Sequence, residues 1–398
     1  MKILIVEEIP IRERFTFLLL KKKLIKKNHE VLICSTNNLV KESIKFKPDL
    51  VIDNVSTDIP HFIGKWFHLK QSQKNINLVW EQFINPRSFK RFIGKDDVRK
   101  EFVNETLVWG EGFKKYLNYV DTNSIDKVFV SGSLKYASSS YLKQFEKKEI
   151  EHILNINTDN YSKTILISDN FKSQHDNFNK NFKNNDINPF VEFSNHYAHD
   201  FFPRFISAIS KIIKKNPNYL FIVRSHPSKS KDEHMDVFFN FPNVFFFNSG
   251  DISLSIKISD LVITSRSGVV LDSYFNDTDV INIIEKDHPV YFGGILQSLE
   301  SKACKPESLL DLSTIDLENY KTTWNSKFIE FWISKTVDPF DFIIDRIENI
   351  SKINDSKRVI NNFTFRILIR ICYNLAMRIF NSKSNKSKDN FDYSKLKL

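Results

Sequence analysis

Two short stretches place charged, titratable and hydroxyl side chains directly behind apolar runs. In the first, Tyr219-Leu220-Phe221-Ile222-Val223 gives way to Arg224-Ser225-His226-Pro227-Ser228. In the second, Asp260-Leu261-Val262-Ile263 runs into Thr264-Ser265-Arg266-Ser267-Gly268. A short continuous apolar run reads as a strand buried on both faces. Ligands of open parallel sheets bind just beyond the carboxyl ends of such strands. Pro227 disfavours a helical conformation for His226 and holds its imidazole on an extended segment. Ser265, Ser267 and the backbone amides of residues 266–269 fall at the start of a predicted helix, Val269–Phe275, where unpaired N–H groups and the helix dipole favour an anion such as phosphate. Arg266 adds positive charge, and Asp272, one turn into that helix, can accept hydrogen bonds from ribose hydroxyls. Ser267 also suits a plain helix cap, and the two roles are compatible.

The elements that must position these residues alternate strand and helix along most of the chain. The first half reads as strands at Lys2–Val6, His29–Cys34, Asp49–Asp53, Ile76–Trp80, Leu107–Trp109 and Val128–Val130. Predicted helices lie at Phe15–Lys27, Leu39–Phe46 and Ser140–Asn155. The second half reads as strands at Thr164–Ile167, Tyr219–Val223, Asn243–Phe247, Asp260–Ile263 and Asp279–Ile283. Its predicted helices are Phe202–Asn216, Ser253–Ser259 and Val269–Phe275, with Leu317–Ile350 mostly helical and Phe171–Asn195 a long polar loop. This alternation predicts doubly wound parallel α/β sheets. No G-x-G-x-x-G follows the first strand, so a dinucleotide fingerprint is missing there. The expected division is a Rossmann-like domain over residues 1–155, a second over 156–350, and a basic helix and tail over 351–398.

With 398 residues, 41% of them hydrophobic and 27% charged, the chain can bury two sizeable cores. Its 37 Phe, with abundant Lys, Asn and Ile, carry no functional signal. Cys34, Cys304 and Cys372 are too few and too scattered for a disulfide framework or a zinc site, and a reducing cytoplasm is expected. The opening residues do not read as a signal peptide, because Glu7 and Glu8 cut the apolar run. No apolar stretch reaches the roughly 18 residues of a membrane span. The net charge is +10, but ten Lys or Arg against two Asp between Lys357 and Leu398 supply +8 of it. The body is therefore nearly neutral, which argues against a nucleic-acid-binding body.

Several stretches, spread over roughly residues 1–290, resemble the bacterial surface-carbohydrate-biosynthesis proteins. This is a GT-B group that includes CDP-glycerol glycerophosphotransferases, capsule Kdo transferases and polysialyltransferases. Glu8-Ile9-Pro10-Ile11-Arg12-Glu13, Phe17-Leu18-Leu19-Leu20 and Asn28-His29-Glu30-Val31 are similar to its opening strand, turn and helix. Trp109-Gly110-Glu111 is similar to its W-G-E element. Gly132-Ser133-Leu134-Lys135-Tyr136 stands where the group has G-x-P-R-x-D, with Leu134 and Ala137 departing from the pattern. Arg224–Pro227 matches R-x-H-P. Ser259–Asp272 matches a strand, a hydroxyl-rich turn and an acidic helix, with Gly268 replacing a second hydroxyl residue.

The resemblance implies a GT-B-like architecture of two Rossmann-like domains facing a cleft, the first for acceptor and the second for donor. It implies a glycosyltransferase of capsule or lipopolysaccharide assembly that uses a CMP- or CDP-linked donor. Polyol-phosphate transfer is the second enzymatic reading, and a non-catalytic scaffold is the third. Donor-binding candidates are Arg224, Ser265, Arg266, Ser267, Asp272, Gly132, Ser133 and Lys135. His226 would stabilise the leaving phosphate. Glu81 would activate the acceptor hydroxyl, although the group's acidic pair and glycine are reduced here to Trp80-Glu81-Gln82-Phe83. Glu111 is the runner-up. Arg12 and Glu13 contact acceptor or donor, or pair with each other. No metal or cofactor is expected. Asp277-Thr278-Asp279 reads as a turn rather than a D-x-D metal motif, and His196, His199 and Asp200 lie in an irregular stretch.

The tail is different in kind. Asn362, Arg366, Arg370, Asn374 and Arg378 recur at every fourth position and form one polar stripe on an otherwise apolar helix. With the Lys-rich extension Ser382–Lys388, residues 357–398 suit an anionic membrane surface. A glycan or lipid-linked acceptor would be met there, on the inner face of the cytoplasmic membrane.

Overall fold

A computed structural model describes residues 1–54, 74–78, 104–120, 126–168, 200–224, 235–265, 267–284, 302–351 and 392–396. The chain divides into two compact units, one of residues 1–138, 330–388 and 398, the other of 139–329 and 389–397.

The first unit is built on six parallel strands in the order β2-β1-β3-β4-β5-β6. They are β1 (Lys2–Glu7), β2 (Glu30–Ser35), β3 (Leu50–Asn54), β4 (Lys74–Leu78), β5 (Glu105–Val108) and β6 (Val128–Val130). Helix α1 spans Pro10–Lys26 and α2 spans Leu39–Phe46. The first helix starts five residues before its predicted start, because Pro10 occupies the first turn, where its missing N–H matters least. Alternate residues of β1 are all buried, Ile3 and Ile5 on one face and Leu4 and Val6 on the other, so helices cover both faces. Leu4, Val6, Val51, Cys34 and Leu39 form the cluster under α2.

The second unit has five parallel strands in the order β11-β10-β7-β8-β9. These are β7 (Lys163–Ser168), β8 (Tyr219–Arg224), β9 (Val244–Phe246), β10 (Leu261–Thr264) and β11 (Asp279–Asn282). The helix Phe202–Lys215 lays Phe205, Ile209 and Ile213 on Ile165, Phe221, Val223 and Ile263. The chain moves outward from β7 through β8 to β9, then returns to the other side of β7 as β10. That reversal opens a crevice at the carboxyl ends of β7 and β10, the switch point of a doubly wound sheet.

Two helix expectations change. Ser140–Asn155 is not one helix: Leu134–Leu142 ends, and a second begins at Lys147, where the Glu149 carboxylate accepts the Glu146 N–H at 2.8 Å. Leu317–Asn325 is not helical, because Asp316 accepts the N–H groups of Glu318 (3.0 Å) and Asn319 (3.4 Å) and turns the chain. The helices Ser326–Trp332 and Pro339–Ser351 follow. The second of these packs on the first sheet, with Arg346 paired to Glu105 of β5.

That return of the chain explains three glycines. A Cβ on Gly110 would lie 2.4 Å from the Trp332 carbonyl oxygen, and one on Gly112 2.6 Å from the Trp332 ring. Gly132 has φ +77° and stands against Pro339 and Ser334. The Ser334 N–H donates to the Trp109 carbonyl at 2.8 Å, and Phe113 meets Trp332 edge-on at 5.3 Å. Gly110→Ala is therefore expected to destabilise the protein by about 2–3 kcal/mol through overpacking against rigid backbone. A urea midpoint that drops while its slope is unchanged would register this.

Candidate functional site

In the second unit the strand register sets Asn282, Thr264, Ser168 and Arg224 side by side at the carboxyl ends of β11, β10, β7 and β8. All four are buried. The Thr264 hydroxyl donates to the Ser168 carbonyl and ties the two strands together at the switch point.

Ser265 follows immediately. It is fully buried, and its hydroxyl has no hydrogen-bond partner among the described residues. A buried hydroxyl without a partner costs about 1–3 kcal/mol, so an unsatisfied one at a ligand crevice marks a place where a ligand atom would be welcome. Ser267 lies two residues on, and its Oγ accepts the Val269 N–H at 3.4 Å, a long cap. Asp272 is buried in the same helix, Val269–Phe275. Ser265 and Ser267 lie between β10 and this helix, and Asp272 is its fourth residue; Arg266 lies outside the described residues.

Arg224 stands two strands away, roughly 10 Å by the usual strand spacing. Its guanidinium is turned inward. Nη1 donates to the carbonyls of Ser249 and Asp251, each at 3.3 Å, and to Ser255 Oγ at 3.0 Å. Nη2 donates to the Gly250 carbonyl at 2.7 Å, and the group lies 5.6 Å from the Phe247 ring centroid. Arg224 thus holds the loop Ser249–Asp251, a contact the sequence reading missed. The loop turns at Gly250, which has φ +70°, and Asp251 caps the next helix by accepting the Ser253 N–H at 2.8 Å; the sequence marks a turn at Gly250-Asp251 but not the side chain that fills it. Ser168 and Asn282 were missed too, although each is the polar residue that ends an apolar strand. His226 lies outside the described residues.

The first-unit candidates are spread along the sheet. Gly132, Ser133 and Lys135 follow β6. Ser133 is buried, and its hydroxyl has no partner among the described residues. Lys135 is buried with its ammonium 5.0 Å from the Tyr136 ring centroid. Glu111 is exposed and begins the helix Glu111–Val120, where a carboxylate complements the dipole. Trp109 beside it is a core residue, edge-on to Phe113 and Tyr136.

Arg12 and Glu13 belong to the start of α1, three strands from Glu111. Glu13 is fully buried and accepts the Glu8 N–H at 2.6 Å. Burial pushes its carboxyl well above the ordinary range, with Glu8 and Glu7 adding repulsion against backbone hydrogen bonds that pull the other way. A raised carboxyl favours the folded state at low pH, and that advantage fades as pH rises toward the folded-state value. Glu81 lies outside the described residues.

On β4, Asn75 Nδ2 donates to Asp53 Oδ2 at 3.3 Å and to the Val51 carbonyl at 3.4 Å. Both side-chain polar atoms of buried Asn77 have no partner among the described residues.

The decoys resolve as turns and buried thiols. Asp277 has φ +56° and pairs with Lys143, and Asp279 pairs with Lys321 at 2.9 Å. Asp200 pairs with Arg204 at 2.7 Å, while His196 and His199 lie outside the described residues. Burial pushes the thiols of Cys34 and Cys304 up to about 12, which keeps them unreactive.

Two parallel-sheet α/β units are shared with solved structures. The chain is similar to UDP-GlcNAc 2-epimerase from Neisseria meningitidis bound to UDP-GlcNAc, with a TM-score of 0.54 and 14% identity over 88% of this chain and 100% of the other. The fold is GT-B-like. UDP-GlcNAc 2-epimerase from Methanocaldococcus jannaschii matches with a TM-score of 0.54 and 13% identity, over 88% of this chain and 100% of the other. The wall teichoic acid polymerase TagF with CDPG matches with a TM-score of 0.52 and 12% identity, over 88% and 90%. No protein-family model and no curated protein sequence matches.

Proposed function

We propose that the chain is a glycosyltransferase of cell-surface polysaccharide assembly whose nucleotide-activated donor, CMP- or CDP-linked, docks at the switch point of the second unit. The observation that carries this reading is the buried Ser265 hydroxyl at the end of β10, which has no partner among the described residues. Ser265, Ser267 and the amides that follow would hold the donor phosphate, with Arg266 adding charge. Asp272 would anchor the ribose. Arg224 enters as a positioning residue that fixes the loop Ser249–Asp251 beside the site. His226 would stabilise the leaving phosphate, and Glu81, with Glu111 as the alternative, would take the proton of the acceptor hydroxyl. Gly132, Ser133 and Lys135 complete the proposed donor contacts. Residues 357–398 would hold the enzyme on the inner, anionic face of the cytoplasmic membrane, where a glycan or lipid-linked acceptor is available.

A second reading, transfer of a polyol phosphate, is favoured by the likeness to a wall teichoic acid polymerase. Thermal shift against CMP, CDP, UDP and GDP tests the common core of both. A rise in the melting midpoint with the cytidine nucleotides is expected, by RT ln(1 + [L]/Kd). No shift with any nucleotide would overturn both readings. Turnover of a CMP- or CDP-linked sugar against CDP-glycerol, followed by mass of the product, separates them.

A further inference from the structure

We propose that the amino-terminal edge of the first unit's sheet is a docking surface for an anionic phospholipid bilayer. Both helices that flank β1 end at this edge. At the end of α1, Ile25 is 49% exposed, and Lys26 and Lys27 beside it are exposed. At the end of α2, Ile44 is 49% exposed, and Lys45 and Lys47 are exposed.

The start of β1 joins the two helix ends into one surface. The Glu30 N–H, just past α1, donates to the Met1 carbonyl at 2.9 Å. The Lys2 ammonium sits 5.4 Å from the ring centroid of Phe46, the last residue of α2. Acidic groups also lie near this edge: Glu30 pairs with the Lys2 ammonium at 3.7 Å, the Asp49 carboxylate accepts the Lys2 N–H at 2.7 Å, and Glu348 lies close enough to His29 to favour its charged form. None of Lys26, Lys27, Lys45 and Lys47 has an ion pair among the described residues.

A third helix ends at this edge: the Lys74 ammonium, at the start of β4, donates to the carbonyl of Ile350 near the end of Pro339–Ser351. Lysines with no ion pair among the described residues, set around half-exposed aliphatic side chains, match a bilayer interface, which takes both a positive charge and a shallow apolar insertion. Lysines alone would also suit nucleic-acid phosphates; the exposed Ile25 and Ile44 between them favour the bilayer.

The inference does not depend on the nucleotide site, and it assigns to the folded body a surface separate from the tail. The test uses the full chain with Lys26→Glu, Lys27→Glu and Lys45→Glu, co-sedimented with phosphatidylcholine vesicles with and without phosphatidylglycerol. The unaltered protein is expected to sediment only with phosphatidylglycerol present, and the variant to partition about a hundredfold or more weakly, at roughly 1 kcal/mol per lysine. Ile25→Ser with Ile44→Ser should also weaken partition, by about threefold, without changing its salt dependence. All five residues are exposed, so the melting midpoint serves as the folding control. Partition of the lysine variant equal to that of the unaltered protein would overturn the inference, as would loss of duplex nucleic acid binding with vesicle binding intact.

Discussion

Arg224→Leu is expected to destabilise the second unit by about 3–4 kcal/mol. The guanidinium is 5% exposed and makes four hydrogen bonds to the carbonyls of Ser249, Gly250 and Asp251 and to Ser255 Oγ. Leucine supplies the volume of the stem but leaves those acceptors without donors, and each buried unsatisfied group costs about 1–3 kcal/mol before relaxation. Water entering the loop would recover part of this, which sets the lower figure. Arg224→Lys is expected to recover little, because one ammonium cannot reach acceptors spread along a planar fork. The urea midpoint of both variants, with limited proteolysis of the loop 248–251, reads the effect. A leucine variant with an unchanged midpoint and an uncut loop would remove Arg224 from its structural role.

That role shows where sequence reading stops. The described strands were legible where a parallel strand covered on both faces is a continuous apolar run, such as Thr164–Ile167 or Leu261–Ile263; β4 was expected at Ile76–Trp80 but is described over Lys74–Leu78, because its buried Asn75 and Asn77 break the apolar pattern. Of the polar residues at their carboxyl ends, Arg224 and Ser265 were legible as site candidates, whereas Ser168 and Asn282 were not. What the runs do not encode is the direction of a side chain. Arg224 reads as a phosphate ligand, and only the turn of the chain at Gly250 shows three carbonyls waiting for it. Gly110 and Gly132 likewise read as parts of site motifs. Their lack of a side chain is required by Trp332, Ser334 and Pro339, about two hundred residues further on, a contact no local pattern contains. The break between Leu142 and Lys147 was hidden for a different reason: the residues on both sides favour helix, and only the Glu146–Glu149 cap interrupts them.

Ser265→Ala separates structure from function at the proposed site, because its two expected effects have opposite signs. In the free protein the Ser265 hydroxyl is buried and has no partner among the described residues. Removing it takes away a desolvated polar group and leaves a space of about one oxygen atom. The melting midpoint without ligand should therefore stay the same or rise, since losing an unsatisfied group relieves its penalty. In the nucleotide complex that same hydroxyl is proposed to donate to a phosphate oxygen. A hydrogen bond to a charged acceptor in a water-poor crevice contributes about 1.5–3 kcal/mol. Its loss should weaken cytidine nucleotide binding by about ten- to a hundredfold and largely abolish the ligand-induced shift. Ser267→Ala offers the contrast. It removes the 3.4 Å cap to Val269, so it should lower the free-protein midpoint slightly, by about 0.5–1 kcal/mol, and reduce nucleotide affinity less. A Ser265→Ala protein that is as stable as the parent and binds nucleotide as tightly would empty the switch point of its proposed phosphate. A protein that melts early would show instead that the hydroxyl is held by the fold, and the donor site would have to be sought elsewhere along the carboxyl edge.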